Sequence, residues 1–469
     1  MKFLSRHWLI ITILALAAFV RLYHLPATMT FLEDEGRDLL IAHRMIDTGR
    51  PVLLGPQTST GNMYLGPLYY YLITPALFLS GGNPLGPTIL IALSGVVTTY
   101  LMYFLGRLML GNWSGYLAAV MYGVLPLAVT FTRNSWNPNL APLVSLLMIY
   151  LTYLLISGHK QTNKIFFRLG ILAGVLMQLH YMALLFLVGI GLTLLIFCRT
   201  QLLMLFKGIF PTLLGLILIF LPFIVFEIRN DFVNTHAITR FIEAKEEPNI
   251  RYRLPLSLWS QKVSLTSTRL LSSLFGRDAL TPDPYRVPIS LTITLIILGT
   301  LVVSLFRRRS EDRPFLFLAS LTLIPLSLIG IYQENIHLHY LGFFFPLIYL
   351  LVAGTNRYLS LLLVGISLIY STPQLISYLR SPGTNQVIRA QQVAEYIVQQ
   401  AGDLSYNVVS AEGTPTTPYL YFLAISSHPP TTDMGETLYL ICQDHPCSQE
   451  SINSPFLLIT GQAHPTISA

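Results

Sequence analysis

The densest acidic cluster in the chain is FLEDEGRD, residues 31–38, which carries Glu33, Asp34, Glu35 and Asp38. A carboxylate beside a membrane can take the proton from an acceptor hydroxyl or ligate a metal. The same cluster equally suits a solvated loop or the first turn of a helix, whose dipole favours negative charge. Arg133, in TFTRNSWNPN, offers a planar fork that matches phosphate oxygens; the plainer alternative is an anchor beside Trp136 that reaches for headgroups. Two histidine–tyrosine pairs stand at the ends of apolar runs: His180 and Tyr181 in LMQLHYMALL, and His339 and Tyr340 in IHLHYLGFFFPL after His337. Polar groups at a hydrocarbon margin are costly unless partnered, so each pair is either satisfied structurally or faces a substrate. These imidazoles could bind a divalent metal, although nothing in their spacing demands one. Tyr69, the first of three consecutive tyrosines, belongs either to an interfacial belt or to the lining of a groove for an amphiphile.

These residues sit in a very apolar chain. Of its 469 residues, 53% are apolar and 11% charged, against about 25% charged in soluble domains. With a mean hydropathy of +0.59, that composition excludes a soluble globular domain, a disordered chain and a nucleic-acid binder. The formal charge of +7 therefore reports topology rather than an anionic partner. Apolar runs long enough to be crossings fall near 8–25, 86–106, 114–131, 139–157, 166–181, 182–198, 208–226, 288–306, 314–331, 340–354 and 358–373, about eleven in all. A further segment, 66–80, is short and contains Pro67 and Pro75.

Charge bias decides that segment. If 66–80 does not cross, Lys2, Arg6, Arg107, Lys160, Lys164, Arg168, Arg199, Lys207, the Arg307–Arg309 cluster, Arg313 and Arg357 all stay cytoplasmic, and Arg133 is the one base in a short outer loop. If it did cross, every later loop would invert. The expected protein is an all-α polytopic membrane protein whose first span is a retained anchor, with its N-terminus cytoplasmic and its C-terminus outside. Outer segments are 26–85, 227–287 and 380–469. The second holds nine basic residues, mostly solvated with some facing anionic headgroups, and an amphipathic stretch (Leu254 to Phe275) expected at the interface. The third begins with a helix-period run (387–398) stopped by Gly402 and continues with strand-like runs at 404–410, 436–442 and 455–460, which predicts a small α/β domain beyond a 1–379 membrane domain. Cys442 and Cys447 could pair if that end faces an oxidising compartment.

Taken in order, EDEGRD (33–38), GPLYYYL (66–72), GRLMLGNWSGYLAAVMYGVLPL (106–127), TRNSWNPN (132–139) and HYLGFFFPL (339–347) resemble the GT-C superfamily of polyprenyl-phosphate-sugar-dependent glycosyltransferases. The nearest branch is the one with protein O-mannosyltransferases and aminoarabinose transferases. The resemblance implies a GT-C architecture in a bacterial plasma membrane and transfer of a sugar, with inversion, from a polyprenyl-phosphate donor to a lipid, glycan or protein acceptor on the outer face. It implies Asp34 as general base, Glu35 as an aid to donor or acceptor, and Arg133 with His180 and His339 around the leaving phosphate; Tyr69, Tyr181 and Asn137 join them as candidate binding residues. Departures are Gly66 before Pro67, no lysine just upstream, Asn137 and Asn139 where the family has an acid, and His339 where a base is common. Metal ligands of the family have no counterpart here, so no cofactor is assigned. Two other classes compete: a lipid-linked polysaccharide polymerase or ligase, which relies on outer-loop arginines, and a transporter or flippase, which would place charges deep in its spans.

Overall fold

In a membrane every backbone N–H and C=O must be bonded within the chain, so long apolar runs become helices. The structure, a computed structural model, describes residues 2–58, 63–243, 256–272, 274, 286–307, 309–332, 336–410, 415–431, 433, 435–442, 457–460 and 467–468. The chain opens with α1 (Lys2–Leu22), α2 (Leu25–Thr28), α3 (Glu33–Thr48), α4 (Leu68–Leu79) and α5 (Leu85–Leu110). Run 114–131 is two helices, α6 (Asn112–Val124) and α7 (Pro126–Phe131), because Pro126 forces Leu125 into an extended conformation. Next come a 3-10 turn (Asn137–Leu140), α8 (Ala141–Ile156), α9 (Thr162–Leu179), α10 (Ala183–Phe197), α11 (Leu202–Arg229), α12 (Val233–Glu243), α13 (Leu256–Ser272), α14 (Arg286–Arg307) and α15 (Arg313–Ile329). Another 3-10 turn (Ser310–Asp312) joins α14 to α15, and a third (Leu338–Phe344) leads into α16 (Phe345–Ala353), followed by α17 (Arg357–Arg380).

The expected spans fall on helical segments, with 8–25 divided between α1 and α2, 114–131 between α6 and α7, and 340–354 between a 3-10 turn and α16. Among the described residues, four helical segments are long and apolar enough to cross a bilayer by themselves: α5, the turn with α8, α11 and α17. Between the exposed Lys207 and Arg229 near its ends, the face α11 leaves uncovered is apolar, with Phe210, Leu214, Leu218 and Leu221 exposed, which is the surface a lipid-facing helix presents. Its other face meets α9 so closely that a Cβ on Gly170 would stand 2.0 Å from the Thr212 carbonyl oxygen, and one on Gly215 2.2 Å from that of Phe167. Small residues are what allow two backbones to approach this far in lipid.

Helix α4 has 12 residues, about 18 Å of rise, too short for a ~30 Å hydrocarbon layer. Its leading amide (Leu68 N) donates to Gln178 at the end of α9, and the carbonyl of Gly82 just beyond it accepts from Tyr421. The amphipathic stretch of the second loop is α13. Rather than resting only on an interface, it grips the end of α15 and the chain after it: Trp259 donates to Ser327 O at 3.0 Å, Lys262 to Tyr332 O at 2.5 Å and Arg269 to Ile336 O at 2.8 Å. Two of the loop's basic residues are thus tied to backbone carbonyls.

The last section contains α18 (Gln386–Ala401), β1 (Tyr406–Ser410), α19 (Thr417–Ala424), β2 (Thr437–Cys442), β3 (Leu457–Thr460) and β4 (Ile467–Ser468). The sheet order is β1-β2-β3-β4, parallel for the first two pairs and antiparallel for the last. Parallel β1 and β2 require a crossover, which α19 supplies. The expected pairing of Cys442 with Cys447 concerns side chains outside the described residues.

Candidate active site

Four acids lie within six positions in α3, and the structure gives each a different task. Glu33 accepts from the amides of Thr416 (2.8 Å) and Thr417 (3.2 Å), capping α19. Glu35 folds back to accept from Leu32 N (3.1 Å) and the Thr30 hydroxyl (2.5 Å), the reciprocal half of a capping box. It is buried, and burial raises its pKa despite those bonds. Gly36 faces α19 so tightly that a Cβ there would lie 2.5 Å from Pro418 N.

That leaves Asp34, with 42% of its side chain exposed, to face outward. Arg37, one helical turn on, reaches it at 2.8 Å and also holds buried Asp38 through Nε (3.0 Å) and Nη2 (2.8 Å). Burial pushes the Asp38 carboxyl up to about 7 even with Arg37 alongside, and its Oδ2 has no partner. Burial also works against the Arg37 charge, but Asp38 and Asp34 outweigh it and hold that guanidinium more firmly protonated than usual.

Asp34 and Arg37 open onto a cavity of about 820 Å³. Its polar end adds Gln57, Thr58, Asn137 and Tyr181; its other end, between α10 and α15, is apolar, with Leu184, Leu185, Val188, Leu328 and Ile331. Rings line the wall between. Trp136 packs on His339 with centroids 4.2 Å apart, His180 on Tyr340 at 4.3 Å, and His337 stacks on His339 at 5.5 Å. Asn137 is held in place by donating to Leu179 O at 2.5 Å.

The structure therefore gathers Asp34, Asn137, His180, Tyr181 and His339 around one cavity and leaves Glu35, Arg133 and Tyr69 out of its lining. Tyr69 is fully buried, its hydroxyl 3.0 Å from Ser135 Oγ. Arg133 is also fully buried and faces no open space for a phosphate. It donates to the carbonyls of Val20 (2.6 Å), Arg21 (3.0 Å) and Tyr23 (2.9 Å) and to Thr28, with its fork over the Tyr378 ring. The last carbonyls of a helix need donors from elsewhere, and Arg133 is the donor for the end of α1. Sequence reasoning passed over Arg37, although a base three residues after an acid on a helix meets it on one face. Among the described residues, no three His, Cys, Asp or Glu side chains converge to hold a metal, so no metal ligand set is assigned.

The short acid-bearing helix, the short helix after it and the cavity belong to a fold that this chain shares with solved structures of ArnT. Residues 65–226 match the family model described as dolichyl-phosphate-mannose-protein mannosyltransferase. Among solved structures, ArnT from Cupriavidus metallidurans bound to undecaprenyl phosphate matches with a TM-score of 0.58 at 13% identity, over 96% of this chain and 87% of that one. The same protein in its apo state matches with a TM-score of 0.58 at 12% identity, over 98% and 93%. The archaeal oligosaccharyltransferase AglB from Archaeoglobus fulgidus, in complex with an inhibitory peptide and a dolichol-phosphate, follows at 0.49 and 12%, over 93% and 62%. No curated protein sequence matches the chain.

Proposed function

We propose that the protein is an integral-membrane glycosyltransferase that moves a sugar from a polyprenyl-phosphate carrier to an acceptor hydroxyl on the extracytoplasmic face. The observation that carries this is the two-ended cavity: a half-exposed carboxylate bonded to a guanidinium at one end, and an apolar slot between α10 and α15 at the other. An amphiphile with an anionic head and a hydrocarbon tail fits that division.

In the reaction, the acceptor oxygen attacks the anomeric carbon while the bond from that carbon to the phosphate oxygen breaks. Asp34 takes the acceptor proton, and the configuration inverts. The leaving group is already an ionised phosphate monoester, so it needs countercharge rather than a proton. Arg37, not Arg133, is the cation at hand, and its bonds to Asp38 keep the fork in position. Trp136, His180, His339, Tyr181 and Asn137 surround the sugar. In this scheme residues 1–379 form the membrane catalytic domain with about eleven crossings, α4 lies at the outer surface, and 380–469 is an extracytoplasmic domain on a bacterial plasma-membrane protein. The test is turnover of polyprenyl-phosphate sugars in reconstituted membranes: Asp34→Asn should lower the rate roughly 10²–10⁴-fold. Wild-type rates in that variant would remove Asp34 from the mechanism.

A further inference from the structure

Residues 55–58 and 63–65 run beside each other as the limbs of a short hairpin: Gly55 N donates to Leu65 O (2.9 Å), Thr58 N to Met63 O (2.8 Å) and Leu65 N to Pro56 O (2.9 Å). Gln57, Thr58 and Met63 bring this ribbon into the lining of the cavity that Asp34 and Arg37 also line. A two-stranded ribbon is marginal by itself, so its position must be set from outside.

It is set at Tyr64. The side-chain amide of Asn234 accepts from Tyr64 N at 2.7 Å and donates to Tyr64 O at 3.3 Å, bracketing that residue's backbone as a third strand would. Tyr181, itself in the cavity wall, donates to the same carbonyl. Asn234 is 2% exposed and lies in the first turn of α12. That turn is fixed by Glu227, whose carboxylate accepts from Asn234 N (3.1 Å), Thr235 N (2.8 Å) and the Thr235 hydroxyl (2.5 Å). An anion at a helix N-terminus is well placed. Between α11 and α12, Asp231 and Phe232 hold left-handed conformations, φ 50° and 56°, which non-glycine residues adopt at a cost and which survive where surrounding structure imposes them. The strained turn aims the buried amide at a residue 170 positions earlier in the chain.

We propose that Asn234 is a positioning residue for the donor sugar. By bracketing the Tyr64 backbone it sets Gln57, Thr58 and Met63 as the wall the sugar meets, and so governs donor affinity and sugar choice without touching the reacting atoms. This rests on the glycosyl-transfer function proposed above, and the experiment separates the two.

Full-length protein in nanodiscs, wild type and Asn234→Ala, is compared by hydrogen exchange over residues 55–68, by steady-state kinetics, and by saturation binding of polyprenyl-phosphate mannose and glucose. The expected result is faster exchange at 63–65, a donor KM raised roughly tenfold, the loss of about one buried hydrogen bond, kcat within twofold, and a flatter preference between the two sugars. Glu227→Gln, which keeps the shape of the cap and removes its charge, should shift the same quantities less and serves if the alanine variant does not fold. Unchanged exchange, or faster exchange with KM and sugar preference intact, overturns the proposal, as does a fall in kcat alone. If the wild type turns over neither sugar, the transfer function fails, and equal binding of the two sugars by wild type and variant then overturns this inference on its own.

Discussion

Substituting alanine at Gly36 tests how the base-bearing helix is held. A methyl there would stand 2.5 Å from Pro418 N and from Thr417 C and 2.6 Å from Thr417 Oγ1. Two of the three are backbone atoms in the first turn of α19 and cannot rotate aside. Ordinary contact needs about 3.4 Å, so α19 must retreat by roughly 1 Å. That stretches the bonds from Thr416 and Thr417 to Glu33, now 2.8 and 3.2 Å, beyond hydrogen-bonding range. Overpacking costs about 1–3 kcal/mol, and each charge-assisted bond about 1.5–3. Alanine regains about 1 kcal/mol of helix propensity over glycine. Since water replaces part of what Glu33 loses, the net expectation is a loss of about 2–4 kcal/mol. The loss should be local, read as faster hydrogen exchange over residues 415–424, with a lower kcat because Asp34 rides on the same turn as Glu33 and Gly36. Gly191→Ala in α10 is the control: no atom lies within 4 Å of its added Cβ, so only the propensity gain operates. Wild-type exchange and turnover in Gly36→Ala would refute the close packing of α19 on α3 and the account of the site built on it.

Arg37→Lys should lower turnover by about two orders of magnitude, because an ammonium cannot bond Asp34 and Asp38 together as a fork does; full activity would dismiss it as the phosphate partner. Arg133→Ala should instead lower the melting temperature and folded yield while leaving donor KM unchanged in the protein that folds, since it strips donors from buried carbonyls; a KM effect at normal stability would return it to the binding site. The Asp38 carboxyl, raised from 3.8 to about 7, favours its neutral form when folded, so its contribution is fully present below about pH 4 and is lost as pH rises through about 7, by up to ~4 kcal/mol. The melting temperature should therefore fall between pH 4 and 7, and Asp38→Asn should flatten that fall; parallel curves would contradict it. A cysteine at Arg309 should resist an impermeant thiol reagent added from outside, and ready labelling there would reverse the topology.

Much of the frame was legible because lipid leaves the backbone few options. Apolar runs had to be helices, and the 66–80 segment was too short to span. The break at Leu125 was also written in the sequence, since a residue before proline avoids helix, but hydropathy averages over it. Of the residues that line the cavity, Asp34 was legible from its acidic cluster, and His180, Tyr181 and His339 because polar groups at the end of an apolar run must meet something. Glu35 was not. Its capping partner is Thr30, two residues before the cap, and the cap itself is Leu32, so the usual Ser/Thr-x-x-Glu signature is missing. Arg37 was hidden by its neighbours: in a cluster of four acids a single base looks like their counterion, which it is, and the added function comes from facing the cavity.

Arg133 shows where charge reasoning stops and geometry takes over. An arginine in an outer loop against the prevailing bias must answer some negative charge, but carbonyl oxygens at a helix end supply that as well as a phosphate does, and only the fold tells them apart. The contacts that remove Arg133 from the cavity give it an indirect hold on the site. Its fork is tied to the end of α1 and to Thr28, while Asn134, the next residue, accepts from Thr30 N at 3.0 Å. Thr30 in turn bonds Glu35, the acid that fixes the first turn of α3 and with it Asp34. Three and four residues beyond Arg133 the same segment delivers Trp136 and Asn137 to the cavity wall. One short segment thus anchors the approach to Asp34 at one end and lines the cavity at the other, so that a shift of one carries the other with it.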